Sequence, residues 1–269
     1  KKSRLFPVAF LAAKATLAAL KLTNHEGGTL PGFIAEGIDP AFLGDIAKPE
    51  QIVFITGTNG KTTTNNLLND LLADNGYQTV TNRVGGNISS GFASSFAKNA
   101  TWKGTSKTKL AVMEFDELSG PRIFPYLQPD ILSVTNLFRD TFSRSATPDY
   151  VFDVMDKGIP ASTHLILNAD DMISCRLAPQ CTHRTYYSIA RLAEDTAEPV
   201  GIVSDLTACP KCGGKLKWDY AHLRHLGHST CEECGYTNPT PDYEVISVEP
   251  ETGKFVVKDH CHEGAPTYE

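Results

Sequence analysis

Gly57, Thr58, Asn59, Gly60, Lys61, Thr62 and Thr63 have the types and order of a triphosphate cradle. The apolar run Gln51–Ile55 before them predicts a buried strand. The segment Thr62–Ala73 after them carries Leu67, Leu68, Leu71 and Leu72 at helical spacing and predicts a helix. A glycine turn between strand and helix aims backbone N–H groups and the helix N-terminus at an anion. In that placement Lys61 reaches the β- and γ-phosphates and the Thr62 hydroxyl holds Mg²⁺, so ATP is the predicted ligand. The general phosphate-loop pattern also asks for a glycine where Ile55 stands.

A second constellation has a different chemistry. Cys209 and Cys212, then Cys231 and Cys234, form two Cys-x-x-Cys pairs, followed by Gly213-Gly214 and Gly235. Four thiolates at this spacing predict a tetrahedral zinc ribbon, with the glycines letting backbone amides turn toward the sulfurs. Closure by four sulfurs leaves no coordination position for catalysis, so the zinc is predicted to be structural. His222, His225 and His228 between the knuckles are read as surface residues. His260, Cys261 and His262 are read as a strand end rather than a second metal site, and Cys175 and Cys181 as inert.

The elements that must position these groups alternate along the chain. Strands are predicted at Gln51–Thr56, Gln78–Thr81, Leu110–Phe115, Ile131–Thr135, His164–Leu167 and Thr185–Ser188. Helices are predicted at Thr62–Ala73, Ser89–Lys98, Leu118–Tyr126, Pro148–Lys157 and Asp170–Leu177. This rhythm predicts an α/β fold, a mostly parallel sheet with helices on both faces, plus a small zinc-ribbon β insertion. Ligands of such sheets bind beyond the carboxyl ends of the strands. Glu114, at the end of an apolar strand, is the predicted Mg²⁺ ligand beside Thr62, and with Lys61 the predicted catalytic pair. Asp116 and Glu117 are read as outer or solvated carboxylates. Asn136 is predicted to orient the nucleotide phosphates or an acyl acceptor and Asn168 to read the adenine edge, while Asp170 and Asp171 are read evenly as functional groups or helix caps.

Four regions follow: 1–50, a helix over Leu5–Leu22 and a glycine and proline linker at Gly27–Gly32, packing on the core; 51–206, the ATP-binding domain; 207–240, the ribbon; and 241–269, a hairpin of Tyr243–Val248 and Lys254–Lys258 returning to the core. The opening helix is read as packing on the core, with a position on a lipid surface as the alternative. The 269 residues, with 41% hydrophobic and 21% charged side chains, describe a globular protein. Mean hydropathy is -0.21. A net charge of -6 opposes a sequence-independent grip on nucleic acid, the property a zinc-ribbon ATPase acting on DNA or RNA would need. No apolar run is long enough to span a bilayer, and a cytoplasmic location is expected.

The phosphate loop, Glu114, Thr135-Asn136 and the run from Leu167 to Asp171 together resemble the Mur ligase central domain. The ribbon, Gly27–Gly32, Thr81-Asn82, Gly86-Asn87, Asp116–Leu118 and Asn136–Asp140 narrow the resemblance to the MurT subunits of lipid II isoglutaminyl synthases. That resemblance implies ATP-dependent activation of the D-glutamate α-carboxylate of lipid II as an acyl phosphate, at the inner face of the membrane. It also implies ammonia from a GatD-type glutamine amidotransferase partner, since no cysteine here stands in a glutaminase context. The loop 139–148 departs from the family pattern by lacking both the histidine of many Mur ligases and the Asp-Arg-Tyr-Gly stretch of MurT. The family carries a further C-terminal domain that completes the active site, so this chain is expected to be inactive alone. A Mur or folylpolyglutamate-type ligase adding an amino acid is the alternative.

Overall fold

The computed structural model describes residues 2–25, 28–84, 86–138, 148–200, 206–249 and 251–262. The chain separates into two compact units: 1–133 with 154–163, and 134–153 with 164–269.

The first unit opens with three helices, α1 (Phe6–Leu22), α2 (Leu30–Ile38) and α3 (Phe42–Asp45). There follow β1 (Gln51–Thr56), α4 (Lys61–Asp74), β2 (Thr79–Val80), α5 (Ser89–Asn99), β3 (Leu110–Glu114), α6 (Gly120–Ile123) and most of β4 (Ile131–Val134). Strand order here is β4-β1-β3-β2. β1 and β2 run parallel to β3, with Ile55 opposite Glu114 and Val80 opposite Ala111. Phe54, Ile55, Ala111, Val112 and Met113 are buried in sequence rather than in alternation, the pattern of a parallel sheet covered on both faces. Phe54 stacks on Phe115 at 5.5 Å and meets Phe92 edge-on at 5.2 Å, fixing α5 over the sheet.

Two expectations need correction in this unit. Gly27–Gly32 is not simply a linker, because α2 begins at Leu30. Pro31 sits in its first turn, where a missing N–H costs nothing. Gly32 lets α2 lie directly on α5: its N–H reaches Ser94 Oγ at 2.8 Å, and a Cβ there would stand 1.9 Å from the Ser90 carbonyl oxygen. The helix over 118–126 shortens to a 3₁₀ turn at Glu117–Ser119 and the single turn α6, with Pro121 in its first turn and Pro125 just beyond its end. Helix α4 forms as expected, but its buried side chains are Asn65 and Asn69, while Leu67 and Leu71 face solvent. Asn69 accepts from Thr79 Oγ1 at 2.6 Å and donates to the Val112 carbonyl at 3.3 Å, so its amide rivets the helix to β2 and β3.

The second unit contains α7 (Pro148–Asp156, whose last residues belong to the first unit), β5 (His164–Asn168), β6 (Arg184–Ile189), β7 (Leu216–Leu223), β8 (Leu226–Cys231), β9 (Tyr243–Glu249) and β10 (Lys254–Asp259). Order in its main sheet is β5-β6-β9-β10, parallel up to β9, with the antiparallel hairpin β9–β10 at the edge. β7 and β8 pair separately as the ribbon hairpin. The helix expected over 170–177 is only a 3₁₀ turn at Ser174–Arg176. Arg184 explains the difference. Its guanidinium takes the carbonyls of Cys175, Leu177, Ala178 and Cys181, holding the segment as a loop with Ala178 at φ 45°.

Candidate functional site

In the first unit the chain leaves β1 and turns through Gly57 at φ 127° and Gly60 at φ 82°, both in the region that favours glycine. Gly60 directly precedes α4. A Cβ at Gly60 would meet nothing within 4 Å, so glycine serves the turn's conformation and leaves open space before the helix. The first turn of α4 carries no acidic residue and starts with Lys61, Thr62 and Thr63. The N-terminus of this 14-residue helix, with no side-chain cap and a lysine in its first position, suits the phosphates of a nucleotide.

Lys61 is positioned from two sides. Its Nζ lies 3.5 Å from the Thr58 carbonyl and 3.5 Å from Glu117 Oε1. Glu117 was read from the sequence as an outer carboxylate, yet its side chain is 11% exposed and faces the lysine. Burial raises its pKa, against the opposing pull of Lys61. The signal for this was local: Asp116 accepts from the Leu118 N–H at 3.1 Å and caps the 3₁₀ turn that swings Glu117 back toward the loop.

Glu114 sits at the carboxyl end of β3 inside an amide frame. Asn82 accepts from the Glu114 N–H at 2.9 Å and donates to its carbonyl at 2.8 Å, continuing the ladder where β2 has ended. Asn87 Nδ2 donates to Glu114 Oε1 at 3.1 Å and orients the carboxylate. From the sequence, Asn82 and Asn87 were only marks of a family resemblance. The structure makes them the supports of the predicted metal ligand. Lys61, Thr62, Glu114 and Glu117 therefore belong to one unit, with the loop Gly57–Gly60.

Asn136 and Asn168 belong to the second unit and both are buried. Asn168 donates to the Thr135 carbonyl at 3.0 Å and accepts from the Asp170 N–H at 3.0 Å. Asp171 is fully buried and accepts from the N–H groups of Leu137 and Ile173 at 2.8 and 2.9 Å, the second in cap fashion. Asp170 receives the Ile189 N–H at 2.9 Å, and burial pushes its pKa up to about 6. Arg139 through Thr147 lie outside the described residues.

The four ribbon cysteines converge. Cys209 Sγ is 3.7 Å from Cys234 Sγ, Cys212 Sγ is 3.5 Å from Cys231 Sγ, and all four lie within 4.8 Å of one another. A disulfide needs about 2.05 Å. Tetrahedral sulfurs about 2.3 Å from a zinc ion stand roughly 3.8 Å apart, so the cluster is compatible with zinc. Both knuckles turn alike: Gly213 at φ 78° and Gly235 at φ 68° close bonds to the carbonyls of Cys209 and Cys231. Amides of Lys211, Gly214 and Cys234 point at the sulfurs of Cys209, Cys212 and Cys231, each at 3.4 Å. The Cys234 amide, first among these influences, holds the Cys231 thiol down to about 7. Among the described residues this is the one group of three or more His, Cys, Asp or Glu side chains whose ligand atoms come close enough together to hold a metal.

The reading of the intervening histidines as surface residues is overturned for two of them. His225 is 1% exposed, lies 3.3 Å from Asp171 Oδ1 and packs on the Phe138 ring at 4.5 Å. His222 bridges Asp195 Oδ1 at 2.8 Å and the Ile189 carbonyl at 3.0 Å. His228 remains partly exposed beside Asp219. Asn238 completes the anchoring, accepting from the Ser229 N–H and donating to the Ala169 and Gly227 carbonyls. The hairpin's inner side is therefore polar glue onto the end of β5, which periodicity alone does not signal.

Comparison with known proteins fits this geometry. Residues 55–204 match the Mur ligase middle domain. The chain is 36% identical over 241 residues to the lipid II isoglutaminyl synthase (glutamine-hydrolyzing) subunit MurT of Staphylococcus aureus (strain COL), covering 87% of this chain and 53% of that protein. It is 34% identical to the corresponding subunit of Streptococcus pneumoniae (strain ATCC BAA-255 / R6), covering 83% and 49%. The chain thus spans about half the length of these relatives. Among solved structures, a pseudomurein peptide ligase type C from Methanothermus fervidus superposes with a TM-score of 0.58 at 24% identity, over 83% of this chain and 43% of that one, and shares the fold. The match across the middle domain makes the chain a member of the Mur ligase family.

Proposed function

We propose that this chain is the nucleotide-binding part of an ATP-dependent carbon–nitrogen ligase of the MurT type, which prepares the D-glutamate α-carboxylate of lipid II for amidation to D-isoglutamine. The observation that carries the reading is the placement of Lys61 at the open N-terminus of α4, beside Glu117 and in the same unit as the framed Glu114. A carboxylate is a poor electrophile until one oxygen becomes a leaving group. In the proposed reaction that oxygen attacks the γ-phosphorus of ATP, the bond to the β-phosphate oxygen breaks, and ADP leaves. Ammonia then attacks the carbonyl carbon, phosphate departs with the C–O electron pair, and the nitrogen loses a proton to give the amide.

Phosphoryl transfer of this kind depends on positioning and charge neutralisation. Lys61 neutralises the transferred group once the phosphates draw it from Glu117, and the loop amides hold the phosphate oxygens. Mg²⁺ would neutralise further charge, with Thr62 and Glu114 the residues proposed to hold it. Zinc is proposed at Cys209, Cys212, Cys231 and Cys234, where it would close the ribbon without touching substrate. Ammonia is proposed to come from a GatD-type amidotransferase subunit, and the site of action is the cytoplasmic face of the membrane that carries lipid II. What supports the substrate is likeness to MurT subunits at 34 and 36% identity.

The test uses the full-length protein with its amidotransferase subunit, lipid II, ATP, Mg²⁺ and glutamine, read by mass spectrometry of the stem peptide. An ATP-dependent gain of one amide at the D-glutamate α-carboxylate, supported also by ammonium, is expected. Addition of an amino acid instead would transfer the chain to the ordinary Mur or folylpolyglutamate-type ligases, and binding of nucleic acid with steep salt dependence would point to a nucleic-acid ATPase.

A further inference from the structure

Helix α1 is apolar apart from Lys14, Thr16 and Lys21, yet only Phe6, Ala9 and Ala13 of its 17 residues are buried. A helix of that composition in a globular protein is ordinarily enclosed. Here Val8, Leu11, Ala15, Ala18 and Leu22 recur every three or four residues and all face outward, Leu11 at 60% and Leu22 at 88% exposure. Trp102 is a further exposed apolar group beside the helix: it is 72% exposed, meets Phe10 edge-on at 6.1 Å, and lies under Lys14 Nζ at 5.6 Å.

The charged side chains of the helix and its flanks are of one sign. Between Lys2 and His25 the chain has Lys2, Arg4, Lys14 and Lys21 and no acidic residue. Beside the helix a cavity of about 480 Å³ is lined by Lys14, Leu17, Leu20, Lys21, His25 and Lys98, with Lys14 Nζ also donating to the Ala100 carbonyl. An apolar stripe rimmed by lysines, a tryptophan at its edge and a basic cleft together match the layers of an anionic bilayer: acyl chains, interface and phosphate headgroups. Among the described residues no helix, α1 included, is long and apolar enough to cross a membrane.

We propose that α1 is a membrane-docking helix, laying Val8, Leu11, Ala15, Ala18 and Leu22 in the interface of a bilayer rich in anionic phospholipid while the cleft of Lys14, Lys21 and Lys98 receives a headgroup phosphate. The proposal deepens the reading of a lipid-linked substrate and rests on it for its purpose, because docking would hold the first unit at the surface from which that substrate projects. A second protein helix fits the stripe less well, since residues 2–25 offer only basic charged side chains, which favour an anionic surface over a mixed-charge partner.

The experiment is co-sedimentation of the full-length protein, with its amidotransferase subunit, on vesicles of phosphatidylcholine alone and of an equal mixture with phosphatidylglycerol. Binding to the mixed vesicles, weakened by salt, is expected. The double substitution Val8→Glu with Leu11→Glu, and separately Leu22→Glu at the most exposed position, should each lower it by about tenfold or more. Thermal unfolding alongside the parent protein checks that the variants fold. Failure of the parent to bind mixed vesicles, or undiminished binding by both variants, overturns the proposal. So does loss of the amidotransferase subunit from the variants with vesicle binding retained, which would give the face to a protein partner. Amidation of a water-soluble, short-chain substrate should be unchanged in the variants. If the parent fails that amidation while still binding vesicles, the proposed function falls and the docking surface stands.

Discussion

The four-cysteine ribbon and the phosphate loop show two ways for a short motif to become a site. The ribbon brings all its donors together: four sulfurs within 4.8 Å, amides directed at three of them, and glycines at the two turns. The phosphate loop does the reverse. Its helix terminus stays open and Lys61 rests 3.5 Å from Glu117. The first arrangement is closed, as a structural zinc ion would require, whereas the second is open, as the proposed nucleotide would require in order to enter and leave.

The difference can be broken most severely at the ribbon. Cys231→Ser should abolish zinc binding, a site worth on the order of 10 kcal/mol in comparable zinc-ribbon and finger systems. Residues 207–240 should then become protease-sensitive, as they should after chelation. Protease resistance unchanged by chelation would contradict a metal-closed ribbon. Lys61→Ala is the complementary cut: ATP turnover by the full-length complex should fall by roughly 10²- to 10³-fold with zinc content intact. Unchanged turnover would remove Lys61 from the site.

Asn82→Ala tests whether the open site is as carefully supported as the closed one. It strips partners from both the N–H and the carbonyl of Glu114, a loss of about 1–3 kcal/mol. It should also raise the Mg²⁺ concentration needed for turnover. A denaturant midpoint and Mg²⁺ requirement equal to the parent's would show that the amide frame is dispensable.

Glu117→Gln should have the smallest effect. Burial raises the folded-state pKa of Glu117, so its contribution to stability is greatest when protonated and is lost as pH rises through that raised value. The neutral glutamine escapes that loss. The variant should therefore match the parent in acid and exceed it slightly at neutral pH, by less than about 1 kcal/mol. Unfolding curves across that range decide the sign. A variant less stable at neutral pH than in acid, relative to the parent, would mean that pairing with Lys61 outweighs burial.

The sequence was most readable where chemistry is local. Gly57–Thr63 and the two cysteine pairs signal their geometry within a few residues, and β1, β3 and the β9–β10 hairpin follow from apolar runs and a glycine turn. It was least readable where a polar side chain packs at long range. Asn69 is buried beneath α4 while Leu67 and Leu71 are exposed, inverting the usual periodic signal. Gly32 looks like a linker glycine until Ser90 of α5 is set against it, and Arg184 replaces a helix by collecting carbonyls from a neighbouring loop. His225 and Glu117 have the composition of surface residues, and only the fold brings Asp171 and Lys61 to them.

The central claim is that ATP activates a substrate carboxylate through an acyl phosphate at the Lys61 site. Its most direct test labels the D-glutamate α-carboxylate of lipid II with oxygen-18 and follows turnover by the full-length complex with ATP, Mg²⁺ and glutamine. The account predicts that each amide formed delivers one labelled oxygen into the released phosphate, and that Lys61→Ala slows the appearance of both label and amide by roughly 10²- to 10³-fold. Amide formation with unlabelled phosphate would contradict it.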